Sequence, residues 1–309
     1  MKTLKLFAFS LIVCAFAPIT KDKEIKLQYS FKTGDTFEWT QKTSQKVSQN
    51  IMGMAQDIET DLGGSLKLVV KQATATGAVV EMEYLKLFSK TSSPMGNVTM
   101  DSESTTDDVY SKVFKSMMGK KFLVTMSMNG NIEKVEGYEK IYSDFGSLGL
   151  DERTLATLKQ SIEQSFGSTS MQRSLESALI SYPDAKVKPG STWTKTMGVA
   201  MNFPLQLETT FKFNGLVGDA ANITAEGTIT TTDKEKETTL PGGFKAKFNM
   251  SGVQLTTATA NIKSGWANET KVSSKITGNM VLLAGGQIPQ DMDVPMEIVT
   301  ESEYTLVKK

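Results

Sequence analysis

Carboxylates gather at Asp101, Glu103, Asp107 and Asp108, and again at Asp291 and Asp293. Two carboxyl groups facing each other across a cleft at roughly 5–10 Å can run glycoside hydrolysis, but spacing along a chain does not supply that geometry. Asp107 and Asp108 have a plainer reading. They stand just before an apolar run of helical period, where negative charge is favoured by the helix N-terminus. Asp291-x-Asp293 lacks the further ligands and the glycine of a calcium loop. No G-x-G-x-x-G, P-loop or G-x-S-x-G pattern occurs, so no phosphate cradle or nucleophile elbow is expected.

The chain has 17 methionines. Met52 with Met54, and Met126 with Met128, stand at i, i+2 and so share strand faces. Thioether clusters are soft ligands for Cu(I); flexible core packing, or the wall of an adaptable apolar pocket, is the commoner use of the residue. Histidine is absent altogether, which removes the usual general base near neutral pH and the usual metal ligand. Ser-His-Asp and Cys-His chemistry are excluded on that ground, and the expectation is a protein that is not an enzyme and holds no cofactor or metal.

The one cysteine, Cys14, sits at the N-terminus. Lys2 and Lys5 precede an apolar stretch from Leu6 to Phe16, and Ala15-Phe16-Ala17 has the small-x-small form of a signal cleavage site. Residues 1–17 therefore read as a signal peptide, with Pro18 leaving the cleavage position open. Cys14 is either an incidental residue of that segment or, after Leu11-Ile12-Val13, a lipidation site that would anchor the protein to the outer membrane. The stretch falls short of the roughly 20 apolar residues that span a bilayer, and no later segment reaches that length. The expectation is an exported protein of the periplasm or cell envelope, not transmembrane. Lys+Arg and Asp+Glu are both 34, so nucleic acid is not an expected partner. Oligomeric state is not legible.

These residues must be positioned by elements, and the dominant signal from residue 25 onward is period-2 alternation. Leu205, Leu207, Thr209, Phe211 and Phe213 share one face. So do Ile58, Thr60, Leu62, Gly64, Leu66, Leu68 and Val70; Phe244, Ala246, Phe248 and Met250; and Val294, Met296 and Ile298. One-sided strands point to antiparallel pairing. Asn129-Gly130 predicts a hairpin between 126 and 132, and Thr76-Gly77, Pro241-Gly242-Gly243 and Ser264-Gly265 predict further reversals. Helical spacing appears at Val109, Tyr110, Val113, Phe114, Met117 and Met118, with Asp107 placed to cap it and Gly119 to end it. It recurs at Leu155, Leu158, Ile162 and Phe166, stopped by Gly167, and at Met171, Leu175, Ala178 and Leu179, ending before Pro183. Trp39, Trp193 and Trp266 are expected to be buried.

A seven-residue echo relates Phe31-Lys32-Thr33-Gly34-Asp35-Thr36-Phe37 to Val187-Lys188-Pro189-Gly190-Ser191-Thr192-Trp193, each before a run of strands. It divides the mature chain near residue 185, into an N-terminal β-meander with a helical insert (18–185) and a C-terminal antiparallel region (186–309). The two are expected to form one continuous sheet. The fold class is thus α+β, dominated by β: a curved antiparallel sheet or half-barrel with a central helical insert packed on one face.

The signal segment, the Lys-x-Gly-Asp-Thr-aromatic opening at 32–37, the run Asn129 to Gly137 and the late Ile262-Lys263-Ser264-Gly265-Trp266 resemble a family of uncharacterised exported bacterial proteins. In layout the chain is also similar to the LolA/LppX-like lipoprotein carriers, whose curved half-barrel holds acyl chains against helices. That resemblance implies an apolar or lipid-like ligand, with Leu155, Leu158, Ile162, Phe166, Met126 and Met128 as its expected lining. The alternative is a structural or protein-interaction component of the envelope with a fully packed sheet. The two differ in one observable, a cavity of roughly 300 Å³ or more between sheet and helices.

Overall fold

A computed structural model describes residues 24–309, with the exception of 52, 95, 150, 154, 157, 158, 160–162, 164–166, 200–203, 241, 242, 286 and 287. The signal segment and Cys14 lie outside the described residues. Thirteen strands form a single antiparallel sheet that is not closed into a barrel, and the helices pack on one side of it. The first group is β1 (Thr36–Ile51), β2 (Met54–Ala73), β3 (Gly77–Ser93), β4 (Gly96–Asp101), β5 (Lys121–Ser127) and β6 (Ile132–Glu136). The second is β7 (Thr192–Gly198), β8 (Leu205–Val217), β9 (Ala220–Thr231), β10 (Thr238–Thr239), β11 (Lys245–Asn261), β12 (Ala267–Leu282) and β13 (Met292–Lys308).

The spatial order is β6-β5-β3-β2-β1-β13-β12-β11-β9-β8-β7, with β4 on β3 and β10 on β11. Each half is a meander, and the two halves join where β1 pairs β13, from Phe37 opposite Lys308 to Gln49 opposite Met296. The echo in the sequence is an echo in the backbone. Gly34 (φ 91) donates its N–H to Val70 O and Asp35 O accepts from Val70 N; Gly190 (φ 92) donates to Phe213 O and Ser191 O accepts from Phe213 N. Both turns set the first strand of a half against its second.

The connection from β6 to β7 joins opposite edges of the sheet. Eleven strands at about 4.8 Å spacing would hold those edges about 48 Å apart if the sheet were flat. Instead the sheet curls: Lys195 of β7 donates a hydrogen bond to Asn131, beside β6. The helix Ser168–Ala178 lies in the gap, where Gln172 Nε2 donates to Ile132 O at 3.2 Å and Arg173 Nε comes within 3.2 Å of where a Cβ on Gly198 would be. Leu175 and Ala178 are its buried residues. The segment before β1 closes one end. Ile25 pairs with Val187, Tyr29 N–H donates to Met128 O, and Ser30 N–H to Ser264 O. Tyr29, Phe31, Phe37, Tyr182 and Trp266 pack there with ring centroids 5.0–6.0 Å apart.

The expected helix near 107–118 spans Val109–Met117, with Gly119 after it at φ 71. Its cap is Asp108, not Asp107: Asp108 Oδ1 accepts from Ser111 N at 2.8 Å, while Asp107 pairs with Lys112 at 2.9 Å. Gly167 lies at the N-cap of the following helix, and its N–H bonds Glu163 O at 2.8 Å. Two short 3-10 turns, Tyr138–Tyr142 and Phe145–Leu148, bury Tyr138, Ile141 and Phe145; no periodic signal announced them. The hairpin at Asn129-Gly130 is present as a four-residue connection from β5 to β6. Phe244, read as part of a strand face, lies just outside β11 and is exposed, and its carbonyl accepts from Leu240 N at 2.7 Å.

Candidate functional site

The helix-bearing inner face of the sheet is divided. One apolar cluster gathers the aromatic end, the helices and the halves of the strands beneath them, including Trp39, Leu68, Phe122, Leu175, Phe211 and Leu306. A second gathers the other halves of the strands, including Leu207, Ile229, Phe248, Met250, Ile276 and Ile298. Between them runs a row of polar inner-facing positions. Strand register places Thr91, Thr60, Gln45, Thr300, Ser274 and Gln254 in one row across six strands, continuing through Gly227 to Thr209.

Several members bond along the row. Thr60 and Thr91 share a hydrogen bond of 3.2 Å, Gln45 Nε2 donates to Thr300 Oγ1 at 3.2 Å, and in the next row Thr43 and Ser302 meet at 2.9 Å. Pairing satisfies polar groups that burial would otherwise penalise. Toward β8 the row runs under the helix Ser168–Ala178, and there Thr209 is fully buried.

Two small spaces lie between that helix and the sheet. The larger, about 20 Å³, is walled by apolar groups such as Trp39, Leu68, Met82 and Leu175, with Trp266, Thr270 and Tyr304. The smaller, about 10 Å³, meets Thr209, Gln254, Thr256 and Glu176. They share Ala178, Leu179 and Thr270. A cavity needs about 10–15 Å³ by this measure to hold one water molecule, so both are water-sized.

Of the lining expected from sequence, Met126 is buried within β5, Met128 is half-buried in the hairpin connection, and Leu155 is half-buried against the first cluster. None of these three walls either space. Leu158, Ile162 and Phe166 lie outside the described residues, as does Met52, while Met54 is exposed. All three tryptophans sit in or against the first cluster, and Trp193 Nε1 donates to Ser181 O at 2.6 Å.

Five of the six carboxylates singled out in the sequence, all but Asp293, have named structural partners. Asp101 Oδ1 accepts from Glu103 N, Glu103 pairs with Lys86, and Asp291 Oδ1 accepts from Ala284 N at 2.7 Å. Hydrogen bonds from Thr106 and then from the Ser111 backbone hold the Asp108 carboxyl down at about 2. Burial pushes the hydroxyls of Tyr29, Tyr84, Tyr138 and Tyr182 up. Tyr84 and Tyr138 share a buried hydrogen bond of 2.7 Å. Among the described residues no three His, Cys, Asp or Glu side chains converge as a metal site would require.

The outer face is charged. Lys46 pairs with Asp57 at 2.7 Å across β1 and β2, and Lys275 with Glu297 at 2.9 Å across β12 and β13. Lys121 lies between Glu81 and Glu83 at 3.4 and 3.5 Å. Among the described residues no helix is long and apolar enough to cross a membrane.

A family model described as a family of unknown function (DUF6263) matches residues 75–267, more than half of the chain. The chain belongs to this family. The matched region runs from the turn before β3 to the first residue of β12, and so takes in the helical insert and both sheet edges. Among curated proteins there is no match. Among solved structures the chain is similar to lipovitellin, from a study of its lipid–protein interactions, at 8% identity and a TM-score of 0.48. That alignment covers 91% of this chain but 25% of the other, so the chain spans a quarter of the length of that neighbour. An outer membrane channel from Pseudomonas putida F1 aligns at 9% identity and a TM-score of 0.27, covering 90% of this chain and 97% of that one. OccK7 (OpdD) of Pseudomonas aeruginosa aligns at 7% and 0.24, covering 89% and 100%.

Proposed function

We propose that this member of the DUF6263 family is a non-catalytic protein of the cell envelope that acts through its surface, on other proteins, with the interior between its described helix and sheet filled by its own side chains. The observation that supports this reading is the size of the spaces beneath the helix Ser168–Ala178, about 20 and 10 Å³. Sites for drug-sized or acyl ligands run to roughly 300–1,000 Å³. The absence of histidine from the whole sequence supports a non-catalytic role, as do the capping and pairing duties of Asp101, Glu103, Asp107, Asp108 and Asp291. Export rests on Lys2, Lys5, the Leu6–Phe16 stretch and Ala15-Phe16-Ala17. The charged outer face suits water on that side, since a lipid-facing sheet surface needs an apolar band.

Carriage of an apolar ligand is the second reading. It is favoured by the wall of the larger space, where Trp39, Leu68, Met82, Leu175, Leu179 and Leu306 would meet a hydrocarbon chain if the helix withdrew. Native mass spectrometry after gentle extraction from cell envelopes separates the two. A bare mass is expected; a stoichiometric lipid retained on the protein would overturn the first reading in favour of the second. Fractionation with sequencing of the mature N-terminus tests export and reports the fate of Cys14.

A further inference from the structure

We infer that the two spaces beneath the helix Ser168–Ala178 are one bound-water site, with two water molecules held by Trp266 on one side and Thr209 on the other. Three observations converge. The spaces adjoin, sharing Ala178, Leu179 and Thr270, and each has room for a single water but not for a larger ligand. Each wall includes a residue with a fully buried hydrogen-bonding atom that has no partner among the described residues: Trp266 Nε1 in the larger space and Thr209 Oγ1 in the smaller. Elsewhere among the described residues such atoms are matched. Trp193 Nε1 reaches Ser181 O, and Tyr29 and Tyr182 reach the carbonyls of Ile180 and Gly265.

An orphaned buried donor or acceptor costs about 1–3 kcal/mol, and a water retained at such a site makes two to four hydrogen bonds. The walls offer that number. A water beside Trp266 can accept from the indole N–H, and Thr270 and Tyr304, whose hydroxyl also bonds Ser302, stand in the same wall. One beside Thr209 can bond Thr209, Thr256 and the Gln254 amide. Thr270 lines both spaces and is the natural link between the two waters. Across the strand from Thr209 is Gly227, where a Cβ would come within 2.5 Å of Leu207 Cδ1 and 3.3 Å of Thr209 Oγ1. The polar row of the inner face thus ends under the helix in ligated water.

The test is a crystal structure of the intact mature protein at a resolution that places ordered water, together with water-to-amide and water-to-indole cross-relaxation in solution. Expected are water oxygens within hydrogen-bond distance of both Trp266 Nε1 and Thr209 Oγ1, and a cross-peak to water at the Trp266 indole proton. That proton is assigned by its loss in Trp266→Phe or, if that variant fails to fold, by sequential assignment of the parent. Thr209→Val is expected to lose the water of the smaller space and keep the other. A dry space at either atom, or an indole proton directed onto the ring of Tyr29 with no water contact, overturns the inference.

Discussion

Gly130 carries two demands at one residue. Its φ is 88, and a Cβ there would lie 2.5 Å from Ile180 O and 2.7 Å from Tyr29 Cε2. Gly34 has a similar φ of 91 with open space around it. Gly34→Ala should therefore cost only the left-handed backbone term of about 1–2 kcal/mol. Gly130→Ala should cost distinctly more, because Tyr29 and the Ile180 carbonyl must both move. Urea unfolding of the two variants checks the order; equal losses would show that the contact is easily relieved. Asp108 gives a pH-dependent counterpart. Its folded pKa is depressed, so the stability it contributes is present above the ordinary carboxylate value of about 3.9. That contribution is lost as pH falls through about 2. Below that window the Ser111 amide should lose its exchange protection first in the helix Val109–Met117, and hydrogen exchange across an acid series reads this directly.

Elements differ in how much of them the residues announced. Alternation marked the strands because each has one face toward the apolar clusters, and the buried set at Leu205, Leu207, Thr209, Phe211 and Phe213 falls where it was expected. The fold class followed from the same signal; alternation alone left open whether the two halves share one sheet, and the pairing of β1 with β13 is what joins them. The polar row did not follow from alternation, although Gln45, Thr60, Thr300 and Ser274 stand in plain view. A row across six strands exists only once register is known, and register depends on pairings such as β1 with β13 between residues some 250 positions apart. The helix Ser168–Ala178 was legible from Met171, Leu175, Ala178 and Leu179, but its place between two sheet edges was not, since no local pattern encodes curl. Leu175 is fully buried at that junction. Leu175→Ala should cost about 2–5 kcal/mol, read as a lowered urea midpoint. A loss below about 1 kcal/mol would mean that the helix contributes little to holding the edges together.

At the scale of the whole molecule the interior holds tyrosines whose hydroxyls burial makes harder to ionise. Burial raises the pKa of Tyr29, Tyr84, Tyr138, Tyr182 and Tyr304, and pushes Tyr142 up to about 12. A raised folded pKa means stability fully present below the unfolded value of about 10 and lost as pH climbs toward the folded values. Alkaline titration followed by tyrosinate absorbance should show these groups ionising together with loss of far-UV circular dichroism. Independent, non-cooperative ionisation near pH 10 with the fold retained would show that these tyrosines are open to water.

The pairing of β1 with β13 has a further consequence in time. On the ribosome β1 emerges long before β13, and until β13 follows, the middle of the sheet cannot exist. The first meander must wait with the edge of β1, a run of 16 residues, unpaired. Long-range closure of this kind slows folding, and an exposed strand edge invites association with other chains. Under the export proposed above, the delay would be an asset. A sheet whose middle strand waits for the last long strand to be made stays incomplete until synthesis is nearly done.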